Sequence, residues 1–193
     1  MNRTGTTSLR SAIKNFGYKT FGGLYPKSSN SNQSYKIQTV KQGIEKIQFY
    51  GNGFYWDDPW FMIYKELDML YPKSKFILTW RSVESWIKSC TAYFGKREEP
   101  AFVWYYGASS VLGNEEIWMK SYKIHSTDVM NYFKDRPKDL LVLNICDGEG
   151  YDKIASFLGS SEKIDKKFPH RNRGIYNINN PELLQNQIRN NHD

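Results

Sequence analysis

The sequence predicts an α/β protein in which a parallel sheet is covered by helices on both faces. Two apolar runs of strand length carry this prediction, residues 75–80 (KFILTW) and 139–145 (DLLVLNI). Segments with helical periodicity alternate with them, and this order is typical of a buried parallel sheet. A chain of 193 residues is long enough for one domain with a core. We place that domain at residues 1–175, followed by an Asn-rich, loosely ordered tail over residues 176–193.

The first element is a helix predicted over residues 4–16. Leu9, Ala12, Ile13 and Phe16 share one apolar face at a spacing of about 3.6 residues per turn, and Gly17 ends the pattern. Further helices are predicted over 40–47, 59–70 (opened by Pro59), 82–94, 114–133 and 152–158. The remaining segments are a short strand over 18–21, a polar loop over 27–35 and an extended stretch over 49–56.

Composition restricts the function classes. The formal net charge is +7, which favours anionic partners. The basic residues are spread along the chain, so a dedicated nucleic-acid arm is not expected. Cys90 and Cys146 lie in apolar segments and are expected to be reduced and buried. No run of eighteen apolar residues, secretory signal or metal-ligand spacing is present, so we expect a cytoplasmic protein without a metal.

The segment from Arg3 to Ser8 has the composition of an anion-binding loop. Gly5 lets the backbone approach a ligand closely. Thr4, Thr6, Thr7 and Ser8 supply hydroxyls and amides at a helix start, where the helix dipole favours an anion. Arg3 adds a positive charge with several donors. The segment lacks the lysine of a Walker A loop, and an ordinary capped helix is the alternative interpretation.

A second candidate is the pair Arg81 and Ser89. Arg81 directly follows the strand predicted over 75–80, and Ser89 lies two helical turns further on. Ligands of parallel sheets bind at the carboxyl ends of the strands. Both side chains could therefore reach one anionic group, although a surface ion pair is the alternative for Arg81.

Together these segments resemble the sulfotransferases that use 3′-phosphoadenosine 5′-phosphosulfate (PAPS), within a P-loop-like fold of three layers. The resemblance extends in order over residues 2–173. Its motifs are DDPWF (57–61), YKELD (64–68), YPKSKFILT (71–79), ESWIKS (84–89), DGEGY (147–151) and FPHRN (168–172).

The resemblance implies transfer of a sulfuryl group from PAPS to a hydroxyl or amine of a small-molecule, carbohydrate or lipid acceptor, leaving the bisphosphate PAP. Residues 4–8 would hold the 5′-phosphosulfate, and Arg3 would stabilise the bridging oxygen. Arg81 and Ser89 would bind the 3′-phosphate, with Arg171, Arg173 and Gly174 as a second clamp. The alternative is an inactive relative that binds nucleotides or other proteins. A nucleic-acid-binding domain and an ATP-dependent kinase are less favoured.

The reaction also needs a base to accept the acceptor's proton. Asp57 is the first candidate, because relatives have an acidic residue entering the helix that Pro59 opens. A helix cap formed by Asp57 or Asp58 is the competing interpretation. His125, in the helix predicted over 114–133, is the second candidate, with a structural role as its alternative.

The sequence departs from this family at its start. Relatives have an apolar strand immediately before the phosphate loop, whereas this sequence begins Met1-Asn2-Arg3. We therefore expect the central first strand of the sheet to be missing or replaced. Three explanations are open: Met1 is internal to a longer protein, the chain is a decaying inactive relative, or another segment, for example residues 35–50, fills the gap.

Overall fold

A computed structural model describes residues 1–24 and 32–171. Arg173, Gly174 and the predicted tail over 176–193 lie outside these described residues. The helices are α1 (Thr6–Asn15), α2 (Asn32–Tyr50), α3 (Tyr64–Leu70), α4 (Val83–Phe94), α5 (Pro100–Tyr106), α6 (Glu115–Tyr132) and α7 (Tyr151–Leu158). The strands are β1 (Thr20–Phe21), β2 (Phe54–Tyr55), β3 (Phe76–Thr79) and β4 (Leu140–Leu143). Short 3-10 helices cover Trp60–Ile63 and Ile145–Asp147.

The four strands of the described residues form two parallel pairs. In the first pair Thr20 of β1 lies opposite Phe54 of β2. In the second pair β3 runs beside β4, from Phe76 opposite Leu140 to its carboxyl end. The predicted parallel pairing is confirmed, but the described strands form two small sheets and do not join into one.

Helices cover both faces of the β3–β4 pair. Successive side chains of a strand point to opposite faces. Phe76 and Leu78 accordingly pack with Val129 and Phe133 next to α3 and α6. Ile77 packs on the other face, in the cluster formed mainly by α1 and α7. The predicted α/β fold with helices on both faces of the sheet is confirmed.

A gap separates β2 from β3. It is a cavity of about 800 Å³, lined on one side by residues 53–56 and on the other by residues 76–79. No described strand pairs with β2 or β3 across it. Within residues 1–24 and 32–171, no strand lies between β2 and β3. The explanation that residues 35–50 fill the gap is wrong, because they form α2, where Val40 and Ile47 pack against the 3-10 helix that starts at Trp60.

Several predicted boundaries differ from the structure. The loop predicted over 27–35 is wrong for residues 32–35, which form the first turn of α2; residues 27–31 lie outside the described part. Phe49 and Tyr50 end α2, so only residues 54–55 of the stretch predicted over 49–56 form a strand. The segment after Pro59 begins as a 3-10 helix and becomes α-helical at Tyr64.

Stacked aromatic rings account for part of the high aromatic content. Trp86 of α4 stacks on Tyr122 of α6 with ring centroids 4.4 Å apart, and Trp118 stacks on Tyr106 at 4.0 Å. This cluster fixes α4 against α5 and α6. Cys90 is buried beside it, as predicted, whereas Cys146 is exposed, so the prediction of burial is wrong for Cys146.

Candidate functional site

The loop before α1 is anchored by buried hydrogen bonds. Thr4 is fully buried, and its hydroxyl donates to the Met1 carbonyl oxygen at 2.7 Å. The Thr79 hydroxyl lies 2.6 Å from Thr4 Oγ1. Because Thr4 has a single hydroxyl proton, Thr79 is the donor to Thr4. The Trp86 indole also donates to the Asn2 carbonyl oxygen at 2.9 Å. The loop is therefore fixed to the carboxyl end of β3 and to α4.

The loop requires an unusual backbone conformation. Gly5 has φ of 99°, in the left-handed region. A Cβ atom at Gly5 would lie 3.2 Å from Cδ1 of Ile145, closer than ordinary van der Waals contact. The first helical hydrogen bond runs from the Leu9 amide to the Gly5 carbonyl at 2.9 Å. Gly5 thus turns the chain into α1, whose first turn carries no acidic residue. The N-terminal end of a helix favours an anion.

Two arginines and a serine meet beside this loop. Arg3 Nε donates to Ser89 Oγ at 3.1 Å, and Arg81 Nη1 donates to the Arg3 carbonyl oxygen at 3.1 Å. The Arg3 guanidinium carbon lies 4.3 Å from the centre of the Tyr93 ring. The structure thus places the predicted residues Arg3, Arg81 and Ser89 in one cluster. We call it the arginine cluster.

Arg81 is held rigidly within the arginine cluster. Its backbone amide and carbonyl both bond to the Tyr122 hydroxyl, at 3.1 and 2.9 Å. Its Nη2 donates to Ser85 Oγ. The sequence analysis missed Ser85, Tyr93 and Tyr122. The position of Ser85 four residues after Arg81, one helical turn away, was the signal that could have identified it.

The electrostatics of the arginine cluster suit an anionic ligand. Burial lowers the pKa of Arg3, and the neighbouring charge of Arg81 contributes in the same direction. The Nε atom of Arg81 is buried and has no hydrogen-bond partner among residues 1–24 and 32–171. A buried donor without an acceptor is costly, and a ligand oxygen would supply one.

The end of the described chain reaches the start of α1. The Arg171 amide donates to Ser8 Oγ at 2.9 Å. This contact brings residue 171 to the predicted phosphate loop from 163 positions away. Arg171 makes this contact through its backbone amide, and the residue is exposed to solvent.

An acidic pair follows β2. Asp58 Oδ2 accepts a hydrogen bond from Asn2 Nδ2 at 2.8 Å, while its buried Oδ1 has no partner in the described part of the chain. Burial, followed by the charge of Asp57, raises the pKa of Asp58 to about 7. The 3-10 helix that follows has Pro59 at its cap position and no side-chain cap. Asp58 therefore does not cap this helix, because its Oδ2 bonds to Asn2 and its Oδ1 has no partner among the described residues.

His125, the second candidate base, lies on α6. Its ring packs edge-on against Phe61 at 5.3 Å and Tyr64 at 6.0 Å. Burial lowers the pKa of His125 to about 3. The imidazole is therefore neutral at physiological pH and lies in the aromatic wall of the cavity between β2 and β3.

Over the described residues, no cluster of three His, Cys, Asp or Glu side chains could hold a metal ion. None of the described helices combines the length and apolar character needed to cross a membrane.

Comparisons with known proteins identify the family. No curated protein matches the chain. A family model described as a sulfotransferase domain matches residues 1–111, more than half of the 193 residues. The chain therefore belongs to the sulfotransferase domain family.

Proposed function

We propose that the protein is a sulfotransferase that uses PAPS and transfers its sulfuryl group in line to a hydroxyl or amine. The observation that carries the proposal is the convergence of Arg3, Arg81 and Ser89 at the N-terminal end of α1. Two elements that the sequence predicts to bind anions lie there side by side. PAPS carries a phosphosulfate at the 5′ position of its ribose and a phosphate at the 3′ position, so one ligand could contact both elements.

The proposed donor site divides into two parts. The backbone and hydroxyls of residues 4–8 would hold the 5′-phosphosulfate, because the positive end of α1 and the left-handed turn at Gly5 favour close approach of an anion. Arg81 and Ser89 would hold the 3′-phosphate. The buried Nε of Arg81, which lacks an acceptor within the described residues, supports this assignment. We also keep Arg171, Arg173 and Gly174 as a proposed second clamp.

Arg3 is the proposed electrostatic catalyst. Its Nε–H bonds to Ser89, which fixes the guanidinium plane beside Tyr93. A guanidinium presents five N–H donors in a rigid arrangement, and preorganised donors stabilise charge that develops in a transition state. We assign Arg3 the stabilisation of the oxygen that carries the leaving negative charge. PAPS itself would supply the activated sulfuryl group.

The proposed base belongs to the pair Asp57 and Asp58. A carboxylate whose pKa lies near 7 is well suited to accept a proton at neutral pH, and Asp58 has this property. Asp57 lines the same cavity and remains our proposal from sequence. His125 is the weaker candidate, because a pKa of about 3 makes it a poor base.

Calorimetric titration with PAP and transfer of radiolabelled sulfate from PAPS test the proposal together. We expect micromolar binding of PAP and sulfation of at least one member of a panel of alcohols, amines, sugars and lipids. Absence of PAP binding at micromolar concentration would refute the proposed donor. Binding without sulfation of any acceptor, unchanged by Asp57→Asn and Asp58→Asn, would instead indicate a nucleotide-binding protein without transferase activity.

A further inference from the structure

Tyr122 of α6 contacts the candidate site through the backbone of one residue. Its hydroxyl accepts a hydrogen bond from the Arg81 amide at 3.1 Å and donates one to the Arg81 carbonyl oxygen at 2.9 Å. Tyr122 is buried, with 2% of its surface exposed. A tyrosine hydroxyl has one proton to donate, and in Tyr122 that proton is used on Arg81. An effect of Tyr122 on a ligand therefore has to act through Arg81.

The position of Arg81 in the chain explains why its backbone needs this support. The pairing of β3 with β4 ends at Thr79, and Ser82 is the N-terminal cap of α4. Arg81 therefore lies in the short connection between a strand and a helix. Backbone groups that are shielded from water are almost always hydrogen-bonded. The Tyr122 hydroxyl supplies a partner to the amide and to the carbonyl of Arg81, and so fixes the backbone from which the arginine side chain departs.

The side chain of Arg81 is held at two of its three nitrogens. Nη1 donates to the Arg3 carbonyl oxygen at 3.1 Å, and Nη2 donates to Ser85 Oγ. The third nitrogen, Nε, is buried without a hydrogen-bond partner among residues 1–24 and 32–171. Ordering an arginine side chain costs rotamer entropy, and here the order is present before a ligand binds. A preorganised donor binds more tightly than a mobile one, because less freedom is lost on binding.

The ring of Tyr122 is held in turn by Trp86 of α4. The two rings stack with centroids 4.4 Å and planes 17° apart, and Trp86 is fully buried. The Trp86 indole donates to the Asn2 carbonyl oxygen at 2.9 Å, in the loop that precedes α1. One stacked pair therefore contacts Arg81 through Tyr122 and the loop through Trp86. The pair fixes the position of Arg81 relative to that loop.

This support comes from beyond the residues that the sulfotransferase domain model matches. That match covers residues 1–111, whereas Tyr122 belongs to α6. Helix α6 contributes Trp118 and Tyr122 to the buried cluster that contains Trp86. The placement of Arg81 thus depends on a helix outside the matched segment.

We propose that Tyr122 is a positioning residue for recognition of the 3′-phosphate, which fixes the Arg81 backbone so that the buried Nε–H meets the phosphate already in place. The inference rests on the proposed function, because it takes Arg81 as the ligand of the 3′-phosphate. It assigns part of the preference for 3′-phosphorylated nucleotides to a residue that does not contact the nucleotide.

Tyr122→Phe tests the proposal, because it removes the hydroxyl and keeps the stacked ring. Tyr132→Phe is the matched control. It is the same substitution on the same helix, and the Tyr132 hydroxyl bonds to Asp68 at 2.8 Å, outside the arginine cluster. Calorimetry measures the Kd of each variant for PAP and for adenosine 5′-monophosphate, which lacks the 3′-phosphate. Thermal unfolding shows that each variant is folded.

A double-mutant cycle separates positioning from general stability. Tyr122→Phe is also made in the Arg81→Ala background, where the side chain that it is proposed to position is absent. A residue that acts only through Arg81 has no further effect on PAP affinity there, whereas independent effects add.

We expect Tyr122→Phe to raise the Kd for PAP about tenfold, to leave the Kd for the monophosphate unchanged, and to have no effect on PAP affinity in the Arg81→Ala background. Tyr132→Phe should change neither Kd. Equal weakening of both nucleotides, an additive effect with Arg81→Ala, or an unchanged Kd for PAP would overturn the proposal. Absence of PAP binding to the wild type would instead refute the proposed donor, and this assignment with it.

NMR of the Arg81 Nε–H group in the wild type gives a readout that needs no variant. We expect its proton to exchange with water slowly before nucleotide is added, and its signal to shift with PAP and not with the monophosphate. Exchange as fast as that of free arginine would show that the side chain is mobile, and would also overturn the proposal.

Discussion

The Nη1 atom of Arg81 donates a hydrogen bond to the carbonyl oxygen of Arg3 at 3.1 Å, across 78 positions of sequence. This contact joins the residue that follows β3 to the loop that begins α1. Both elements were predicted to bind anions, and the contact shows that they lie at the same edge of the fold. The two predicted parts of the nucleotide site are therefore neighbours.

Gly5→Ala should lower stability more than the same substitution at Gly17, a glycine that also has a positive φ. An alanine in the left-handed region costs about 1–2 kcal/mol, and at Gly5 the new methyl group would also press on Ile145 at 3.2 Å. Gly17→Ala is the matched control, because Gly17 has φ of 80° with no atom within 4 Å of the added Cβ. We expect a lower Tm for both variants, a larger loss for Gly5→Ala, and weaker PAP binding by calorimetry only for Gly5→Ala. Equal effects of the two substitutions on Tm and on PAP binding would contradict the claim that Gly5 is packed closely against Ile145.

The Thr4–Thr79 hydrogen bond should show coupling in a double-mutant cycle. Thr4→Val or Thr79→Val removes a partner from a buried pair at 2.6 Å, at an expected cost of about 1–3 kcal/mol each in urea unfolding. The double variant should cost less than the sum, because it leaves no unpaired hydroxyl in the pair. Thr127→Val, at an exposed position of α6, should change stability by less than about 0.5 kcal/mol. Strict additivity of the two buried substitutions would show that the hydroxyls do not interact.

Asp58 should make stability depend on pH. Its carboxyl pKa is raised to about 7 in the folded protein, compared with about 3.9 in an unfolded chain. The folded state therefore binds more protons in this interval, and the contribution of Asp58 to stability falls as pH rises from about 4 to about 7.

Asp58→Asn should remove this dependence. We expect the variant to gain stability relative to the wild type at about pH 8, by at most about 4 kcal/mol, and to gain little at about pH 4. Urea unfolding at a series of pH values measures the effect. Asp165→Asn, at an exposed position, is the control for loss of one negative charge. A stability difference that does not change with pH would show that the Asp58 carboxyl titrates normally.

Ser89→Ala should weaken nucleotide binding. The Ser89 hydroxyl accepts from Arg3 Nε at 3.1 Å and is a proposed ligand of the 3′-phosphate. Loss of one hydrogen bond to the charged phosphate is worth about 1.5–3 kcal/mol, or about a 10- to 150-fold higher Kd for PAP. Ser156→Ala, at an exposed position of α7, should leave the Kd unchanged. An unaltered Kd in Ser89→Ala would remove Ser89 from the site.

Much of the fold, and the position of Arg81 beside the loop that contains Gly5, was predictable from sequence. The strands β3 and β4 are continuous apolar runs, which is a strong local pattern, although Val142 of β4 is exposed. Parallel strands place their carboxyl ends at one edge, so Arg81 was expected near the loop that contains Gly5. These predictions depend on regular geometry, and the structure agrees with them.

Other features depend on tertiary contacts that local patterns do not reveal. Helix α5 spans only seven residues (PAFVWYY), nearly all of them apolar, so no helical periodicity was visible. The polar start of α2 resembled a loop by composition. The environment of Asp58 arises from burial and from Asn2, 56 positions away. A sequence pattern could therefore suggest Asp57 as the base without detecting the altered pKa of its neighbour.

The most direct test of the proposed site is calorimetric binding of PAP and of adenosine 5′-monophosphate, which lacks the 3′-phosphate, to the wild type and to Arg81→Ala. Hydrogen bonds to charged groups are worth about 1.5–3 kcal/mol, or about 10- to 150-fold in Kd. We expect wild-type protein to prefer PAP by a factor in this range and Arg81→Ala to lose the preference while its affinity for the monophosphate is unchanged. Lys134→Ala, at an exposed position, should behave as wild type. If Arg81→Ala weakens both nucleotides equally, or neither, Arg81 does not bind the 3′-phosphate and the proposed site is wrong.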